Sequence, residues 1–369
     1  MAKKFITVVL LILLSQNLVY GDNLDLSAQG FILMEENSGR VLLEKNAYTK
    51  MPMASTTKIM TALLAIERGN MDDVVEITDD SVNIEGSSIY LKVGEKITLG
   101  DLVYGLMLRS GNDSAVAIAN YISGTEEGFI KLMNKKARLI GANNTNFTNP
   151  HGLYNKEHYT TAYDLALITR YAFKSDDFEN VSKAKEYRSS REVNNYYVNK
   201  NKTLWDYKGG DGVKIGYTIA SGRCLVSSAT KDNMRLIAVS LNAPNWFNDN
   251  YKLMDYGFEN YKLYNIYEKG KFFKNISVQE GIKDKVPVIA EKDFLYPLKE
   301  DELSKIKYII NVEESVEAPV EKGDILGYVE VYLDGKLINK DKLIAKYDID
   351  KKSFIDRLFP LIYKRWKLR

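Results

Sequence analysis

The order of elements along this 369-residue chain predicts an α+β fold, an antiparallel sheet with helices packed around it, followed by a small C-terminal all-β domain and an amphipathic tail. Three observations predict it. Strand-like runs stand near both ends of the first 260 or so residues, with helical periodicity between them, the pattern of a sheet assembled from both ends of a domain. From about Tyr264 that texture gives way to period-two segments such as Ile325-Leu326-Gly327-Tyr328-Val329-Glu330-Val331-Tyr332, with turns at Glu268-Lys269-Gly270 and Asp334-Gly335-Lys336. Finally, Phe354, Ile355, Leu358, Phe359, Ile362 and Trp366 share one helical face among basic residues. The expected division is a leader over 1–21, a first domain over 22–262, a β-rich domain over 263–350 and an amphipathic anchor over 351–369.

The leader has Lys3-Lys4 as its basic start, Phe5 to Leu14 as its apolar run and Val19-Tyr20-Gly21 as a small-residue cleavage site, the pattern of a secretory signal peptide. Its apolar run is too short to span a bilayer unaided. Residues 30–46 predict a hairpin turning at Asn37-Ser38-Gly39. Ile59, Met60, Leu63, Leu64 and Ile66 predict a mostly buried helix, with Gly69 as its C′ stop. Leu99 to Leu108 and Ser114 to Ala119 predict two more. A helix over Thr161 to Lys174 opens with Thr160 or Thr161 as N-cap and Asp164 near N3. Three strands follow between 212 and 242, then a helix from about Asn248 to Tyr261. Pro360 is expected to kink or restart the helical tail.

A net charge of +2 hides an asymmetry. Residues 351–369 carry +6 and the leader +2, which leaves −6 on the body. A body of that sign argues against nucleic acid as a partner. Cys224 is the single cysteine, so an intramolecular disulfide is impossible, and its apolar strand predicts a buried thiol. The two histidines, His151 and His158, fall in one Gly- and Asn-rich loop with no clear partner ligands. They are expected to serve loop packing or the rim of a cleft; no metal and no cofactor are expected.

Three short motifs carry the chemistry: Ser55-x-x-Lys58, Ser110-x-Asn112 and Lys214-x-Gly216. They supply a nucleophile, a base beside it, a second hydroxyl and a cationic strand, which makes a serine acyl-transfer site without histidine. Ser-x-x-Lys also occurs at Ser182, Ser228 and Ser304, but only Ser55 begins a buried helix, where Lys58 lies one turn on along the same face. The partial positive charge at a helix start favours a developing oxyanion. Ser110-Gly111-Asn112 sits between two apolar helices, as a loop aimed at a cleft. Gly216 allows another backbone or a substrate to approach its strand closely.

On these residues the chain resembles the low-molecular-mass penicillin-binding proteins, specifically the D-alanyl-D-alanine carboxypeptidases; the motif set is shared with class A β-lactamases. The likeness extends to Ala54 through Leu63, Thr145 through Leu153, Thr161 through Ala166 and Asp211 through Lys214, and covers roughly residues 28–262. It implies a β-lactamase/transpeptidase-like catalytic domain, with the β domain as spacer or docking module. It also implies that Ser55 attacks the D-Ala-D-Ala carbonyl, Lys58 takes its proton and Ser110 relays a proton to the leaving amine. Asn112 would hold the substrate peptide, Lys214 its terminal carboxylate, and the backbone N–H groups of Ser55 and Tyr217 the oxyanion. Gly216 and Thr218 complete the expected substrate-binding set. One position departs: the family's Thr between Lys and Gly of the third motif is Ile215, and Thr218, Ser221 and Arg223 are the candidates to replace its hydroxyl.

The implied activity is removal of the terminal D-Ala from peptidoglycan stem peptides, with β-lactams as inhibitors. The enzyme is expected to be exported and held peripherally on the outer face of the cytoplasmic membrane by the tail. The rival readings are a β-lactamase and a catalytically weak wall-binding or penicillin-sensing protein. The first needs a Glu-x-x-Leu-Asn segment between the second and third motifs, and residues 113–213 contain none. The second draws on Ile215. Transpeptidation shares the same acyl-enzyme.

Overall fold

The structure, a computed structural model, describes residues 24–353; the expected leader and the tail from Phe354 onward lie outside the described residues. Strands β1 (Gly30–Glu35) and β2 (Val41–Lys45) form the expected hairpin. A 3-10 turn at Ala54–Thr57 runs into α1 (Lys58–Arg68). The ribbon of β3 (Val74–Glu76) and β4 (Lys96–Thr98) precedes α2 (Leu99–Tyr104), which continues as a π turn over Gly105–Arg109. Then come α3 (Asn112–Ser123), α4 (Glu126–Ile140), α5 (Ala162–Ala172) and α6 (Asp176–Lys183). A second ribbon, β5 (Glu186–Arg188) with β6 (Tyr196–Val198), and one turn of helix, α7 (Thr203–Asp206), lead to β7 (Gly210–Thr218), β8 (Gly222–Lys231) and β9 (Met234–Leu241). Helix α8 (Trp246–Asn260) closes this part.

The central sheet has the order β2-β1-β9-β8-β7 and is antiparallel throughout. The first strand therefore pairs with the last, Ile32 opposite Val239, as the split arrangement of strands along the chain predicts. Helices cover both faces. Along β1 and β9, Ile32, Met34, Ile237 and Val239 enter the core beneath α1, α3 and α5. Their alternate neighbours Leu33, Leu236 and Ala238 enter a separate core against Leu253 and Met254 of α8. Burial on both sides is why these strands read as unbroken apolar runs. Each fully buried Leu or Ile contributes about 1.5–3 kcal/mol.

Helix starts follow local chemistry. Thr161, not Thr160, is the N-cap of α5, its hydroxyl accepting from Asp164 N at 3.0 Å. Gly69 ends α1 differently from expectation. Its backbone is extended rather than left-handed, and a Cβ there would lie 2.4 Å from Leu99, so packing rather than φ selects glycine.

The second part contains β10 (Lys262–Tyr267), β11 (Phe272–Gln279), β12 (Lys285–Ala290), β13 (Phe294–Leu298), β14 (Ile306–Val312), β15 (Ser315–Glu317), β16 (Ile325–Leu333) and β17 (Lys336–Ala345). A six-stranded sheet, β14-β16-β17-β12-β11-β15, and the pair β10–β13 enclose their own core, including Val286, Val288, Val329, Val331 and Leu343. Arg40 clasps the two parts together. Its guanidinium donates to both Glu302 oxygens, at 2.6 and 2.9 Å, and to the Pro297 carbonyl, between the rings of Tyr261 and Tyr296. The β domain's contacts run a little past residue 350: Lys351 bridges to Gly281, and Lys352 N donates to Glu280 O.

Candidate active site

The sheet places β7 at one edge, and its residues meet the start of α1. The reason is Gly216: a Cβ there would lie 2.8 Å from Ser55 N and 3.0 Å from Thr56 N. Only a glycine lets the third motif's strand touch the backbone of Ser55 and Thr56. Ser55, partly exposed, lies in the 3-10 turn rather than in α1 itself, and Lys58 is the first residue of the α-helix.

Lys58 is completely buried and has three partners. Its Nζ is 3.0 Å from Ser55 Oγ, 2.6 Å from Asn112 Oδ1 and 2.6 Å from the His151 carbonyl. Burial, reinforced by the charge of Lys214 and opposed by Asp113, pushes its pKa well below the ordinary lysine value. The geometry suits a neutral amine. As an ammonium Lys58 donates to all three; in the neutral form its two N–H groups go to the partners that can only accept, Asn112 Oδ1 and the carbonyl, and its lone pair faces the Ser55 hydroxyl.

Asn112 is not in a loop, as the sequence suggests, but at the start of α3. Its amide is oriented by donation from Nδ2 to Glu85 O. The residue between the helices is Ser110, in the left-handed region at φ 64°. That conformation is uncommon for a non-glycine residue and is held here by the packed π turn before it and α3 after it. Lys214 Nζ donates to Ser110 Oγ at 3.1 Å and to the Ile215 carbonyl at 3.1 Å. The second and third motifs thus meet, and Ser55, Lys58, Ser110, Asn112, Lys214 and Gly216 form one cluster. Burial and the charge of Lys200 lower Lys214 to about 7.

Three features of the site escape motif reading. The Asp113 carboxylate accepts from Ile89 N, Leu91 N and Ser88 Oγ, which clamps residues 88–91 against the second motif. His158 fixes the turn that carries Ser55: its Nδ1 accepts from Thr148 N, so Nε2–H donates to Thr57 Oγ1 at 2.8 Å. Lys200, at the rim, is lowered by desolvation and by Arg109, and adds a cation beside Lys214. Burial lowers His151 to about 3 and His158 to about 4, so both are neutral near pH 7. No group of His, Cys, Asp and Glu among the described residues is arranged to hold a metal.

At the far end of β7, the Thr218 and Ser221 hydroxyls lie 2.8 Å apart and each accepts from the other's backbone N–H. They close the β7–β8 hairpin. Arg223 turns away from Ser55, its Nη1 donating to Pro244 O. Ile215, the next residue along this edge strand, is half-buried. Cys224 is buried, as expected, and burial raises its thiol to about 11.

This constellation on an α+β scaffold has the groups that serine acyl transfer needs. Residues 17–245 match the model of the D-alanyl-D-alanine carboxypeptidase family, and residues 261–351 match that of the C-terminal domain of penicillin-binding protein 5. The D-alanyl-D-alanine carboxypeptidase DacF of Bacillus subtilis is 34% identical over 339 residues, 89% of this chain and 87% of the relative. DacC of Escherichia coli is 32% identical over 92% of this chain and 88% of its own length. The crystal structure of penicillin binding protein 5 from Haemophilus influenzae superposes with a TM-score of 0.76 at 31% identity, covering 89% of this chain and 99% of that one. The chain belongs to the D-alanyl-D-alanine carboxypeptidase family, the low-molecular-mass penicillin-binding proteins, and is a serine-type carboxypeptidase.

Proposed function

We propose that the enzyme removes the terminal D-Ala from peptidoglycan stem peptides through a Ser55 acyl-enzyme, and that β-lactams inhibit it by acylating the same serine. The observation that carries this reading is the set of three contacts around Lys58, which directs an amine lone pair at Ser55 Oγ. Lys58 takes the Ser55 proton as Oγ bonds to the scissile carbonyl carbon. The Ser55 and Tyr217 N–H groups receive the oxyanion, each worth about 3–4 kcal/mol. The C–N bond then breaks, and the proton taken up by Lys58 passes through Ser110 to the leaving D-Ala amine, which returns Lys58 to its neutral form. Water, deprotonated by the same lysine, adds to the ester and releases the shortened peptide and Ser55. Asn112 holds the peptide, and Lys214, with Lys200 beside it, attracts the terminal carboxylate.

The pH profile tests these roles. Acylation needs neutral Lys58, so kcat/KM rises with pH through its lowered pKa. Substrate capture needs charged Lys214, so kcat/KM falls again as pH rises through about 7 in the free enzyme. The bound carboxylate raises the Lys214 pKa and carries the kcat limb higher. Lys214→Arg keeps its charge at all these values, so the alkaline limb assigned to Lys214 is expected to vanish. A retained limb at the same pH assigns it to another group.

Ile215→Thr is expected to lower KM for a D-Ala-D-Ala peptide with the fold intact, because Thr218 and Ser221 are engaged with each other and Arg223 points elsewhere. A hydrogen bond to a charged group contributes about 1.5–3 kcal/mol. An unchanged or higher KM shows that the cations already fill the role.

The tail is proposed to hold the exported enzyme on the outer face of the cytoplasmic membrane. Among the described residues no helix is long and apolar enough to cross a membrane. Because Lys351 and Lys352 contact the β domain, the informative truncation falls after Ser353 and removes a net charge of +4. Basic residues near an anionic surface contribute about 1 kcal/mol each, and the apolar face adds to that. Full-length enzyme is expected to float with anionic vesicles and the truncated one to stay behind with normal activity on small peptides. Equal flotation contradicts the anchor.

A further inference from the structure

An open pocket of about 620 Å³ lies at the end of the β7–β8 hairpin, lined by Tyr217, Gly222, Arg223, Asn242, Pro244 and Trp246. None of these side chains is acidic. Arg223 sits opposite Tyr217 in the ladder, and by alternation both project to the sheet face that α8 covers, away from Lys214 and Gly216. Its guanidinium carbon is 5.9 Å from the centroid of the Trp246 ring, and Nη1 is fixed by the Pro244 carbonyl at 2.7 Å. Among the described residues it forms no ion pair. A guanidinium placed over an indole, with one nitrogen already fixed, presents its remaining donors in a planar fork that matches a carboxylate. Next to it the Tyr217 side chain is 61% exposed, and Ile219 at the hairpin tip is 95% exposed.

The site's polarity says which part of a substrate passes here. With the terminal carboxylate near Lys214 and the scissile carbonyl at the Ser55 and Tyr217 N–H groups, the chain upstream of the scissile bond runs on past Tyr217 toward Thr218. It lies antiparallel to β7 along the strand's free edge. Extended chain advances about 3.3 Å per residue, so the next one or two residues come level with the hairpin end. We infer that the Tyr217–Arg223–Trp246 pocket is a donor-side subsite for a carboxylate carried one or two residues upstream of D-Ala-D-Ala. This rests on the acyl-enzyme reading above and adds to it: the enzyme selects acidic stem peptides over neutral ones through a group outside the catalytic cluster.

The test compares two peptides, acetyl-Glu-Glu-D-Ala-D-Ala and acetyl-Gln-Gln-D-Ala-D-Ala, by D-Ala release. The wild-type enzyme is expected to show a kcat/KM ratio of about ten in favour of the acidic peptide, equivalent to about 1.4 kcal/mol. Arg223→Gln is expected to bring that ratio close to one, Arg223→Lys to retain part of it, and Trp246→Ala to reduce it. A wild-type ratio near one, or an equal loss on both peptides in Arg223→Gln, overturns the subsite while leaving the carboxypeptidase reading intact. Failure of the wild type to release D-Ala from either peptide overturns that reading, and the subsite with it.

Discussion

Ser55→Ala is expected to abolish D-Ala release, with a loss of about 10⁶ in kcat by analogy with other serine hydrolases. The expectation follows from position. Ser55 Oγ lies 3.0 Å from the Lys58 amine, and Gly216 brings the backbone of β7 against Ser55 N, where the proposed oxyanion site falls. The substitution removes one atom from a partly exposed turn, so the thermal unfolding midpoint is expected to stay within about a degree or two. Residual turnover well above that level, in a variant free of wild-type contamination, would assign the nucleophile elsewhere.

Lys58→Met is expected to cost at least about 10⁴ in acylation rate, at the upper end of what a general base contributes. Its effect on stability is the net of two terms. Two buried acceptors, Asn112 Oδ1 and the His151 carbonyl, lose their donor, at about 1–3 kcal/mol each. Against this, an amine whose charged form is disfavoured by burial is removed. Lys58→Arg separates base from cation: it keeps a donor and a charge but cannot deprotonate, so it is expected to be as slow as Lys58→Met. Activity of the Lys58→Arg variant within about tenfold of wild type would show that Lys58 acts as a fixed cation rather than as the base.

Much of this is legible in the sequence, for physical reasons that differ by region. The three motifs are legible because acyl transfer without histidine needs a hydroxyl, an amine and a cation, and because Ser55 stands in the turn that leads directly into the buried helix α1. The hairpin at 30–46, the three late strands and α8 are legible from periodicity. What escapes depends on contacts distant in the chain. Nothing local to Asn112 shows that its amide oxygen holds Lys58, or that His151 contributes its backbone carbonyl rather than its ring. The Asp113 clamp joins residues more than twenty positions apart. Ser110 shows no glycine at its left-handed position to betray it. Gly69 has the sequence context of a left-handed stop, but Leu99, thirty residues on, decides its identity. Thr218 and Ser221 are candidates for the hydroxyl missing at Ile215 on sequence alone, whereas the hairpin bonds them to each other.

The most direct test of the central claim, a serine acyl-enzyme built on Ser55, is intact-mass analysis after incubation with a penicillin, followed by tryptic mapping. One equivalent of adduct is predicted, located on the peptide Met51–Lys58 and absent from the Ser55→Ala variant. An adduct on any other peptide, or one that persists in Ser55→Ala, would contradict the account.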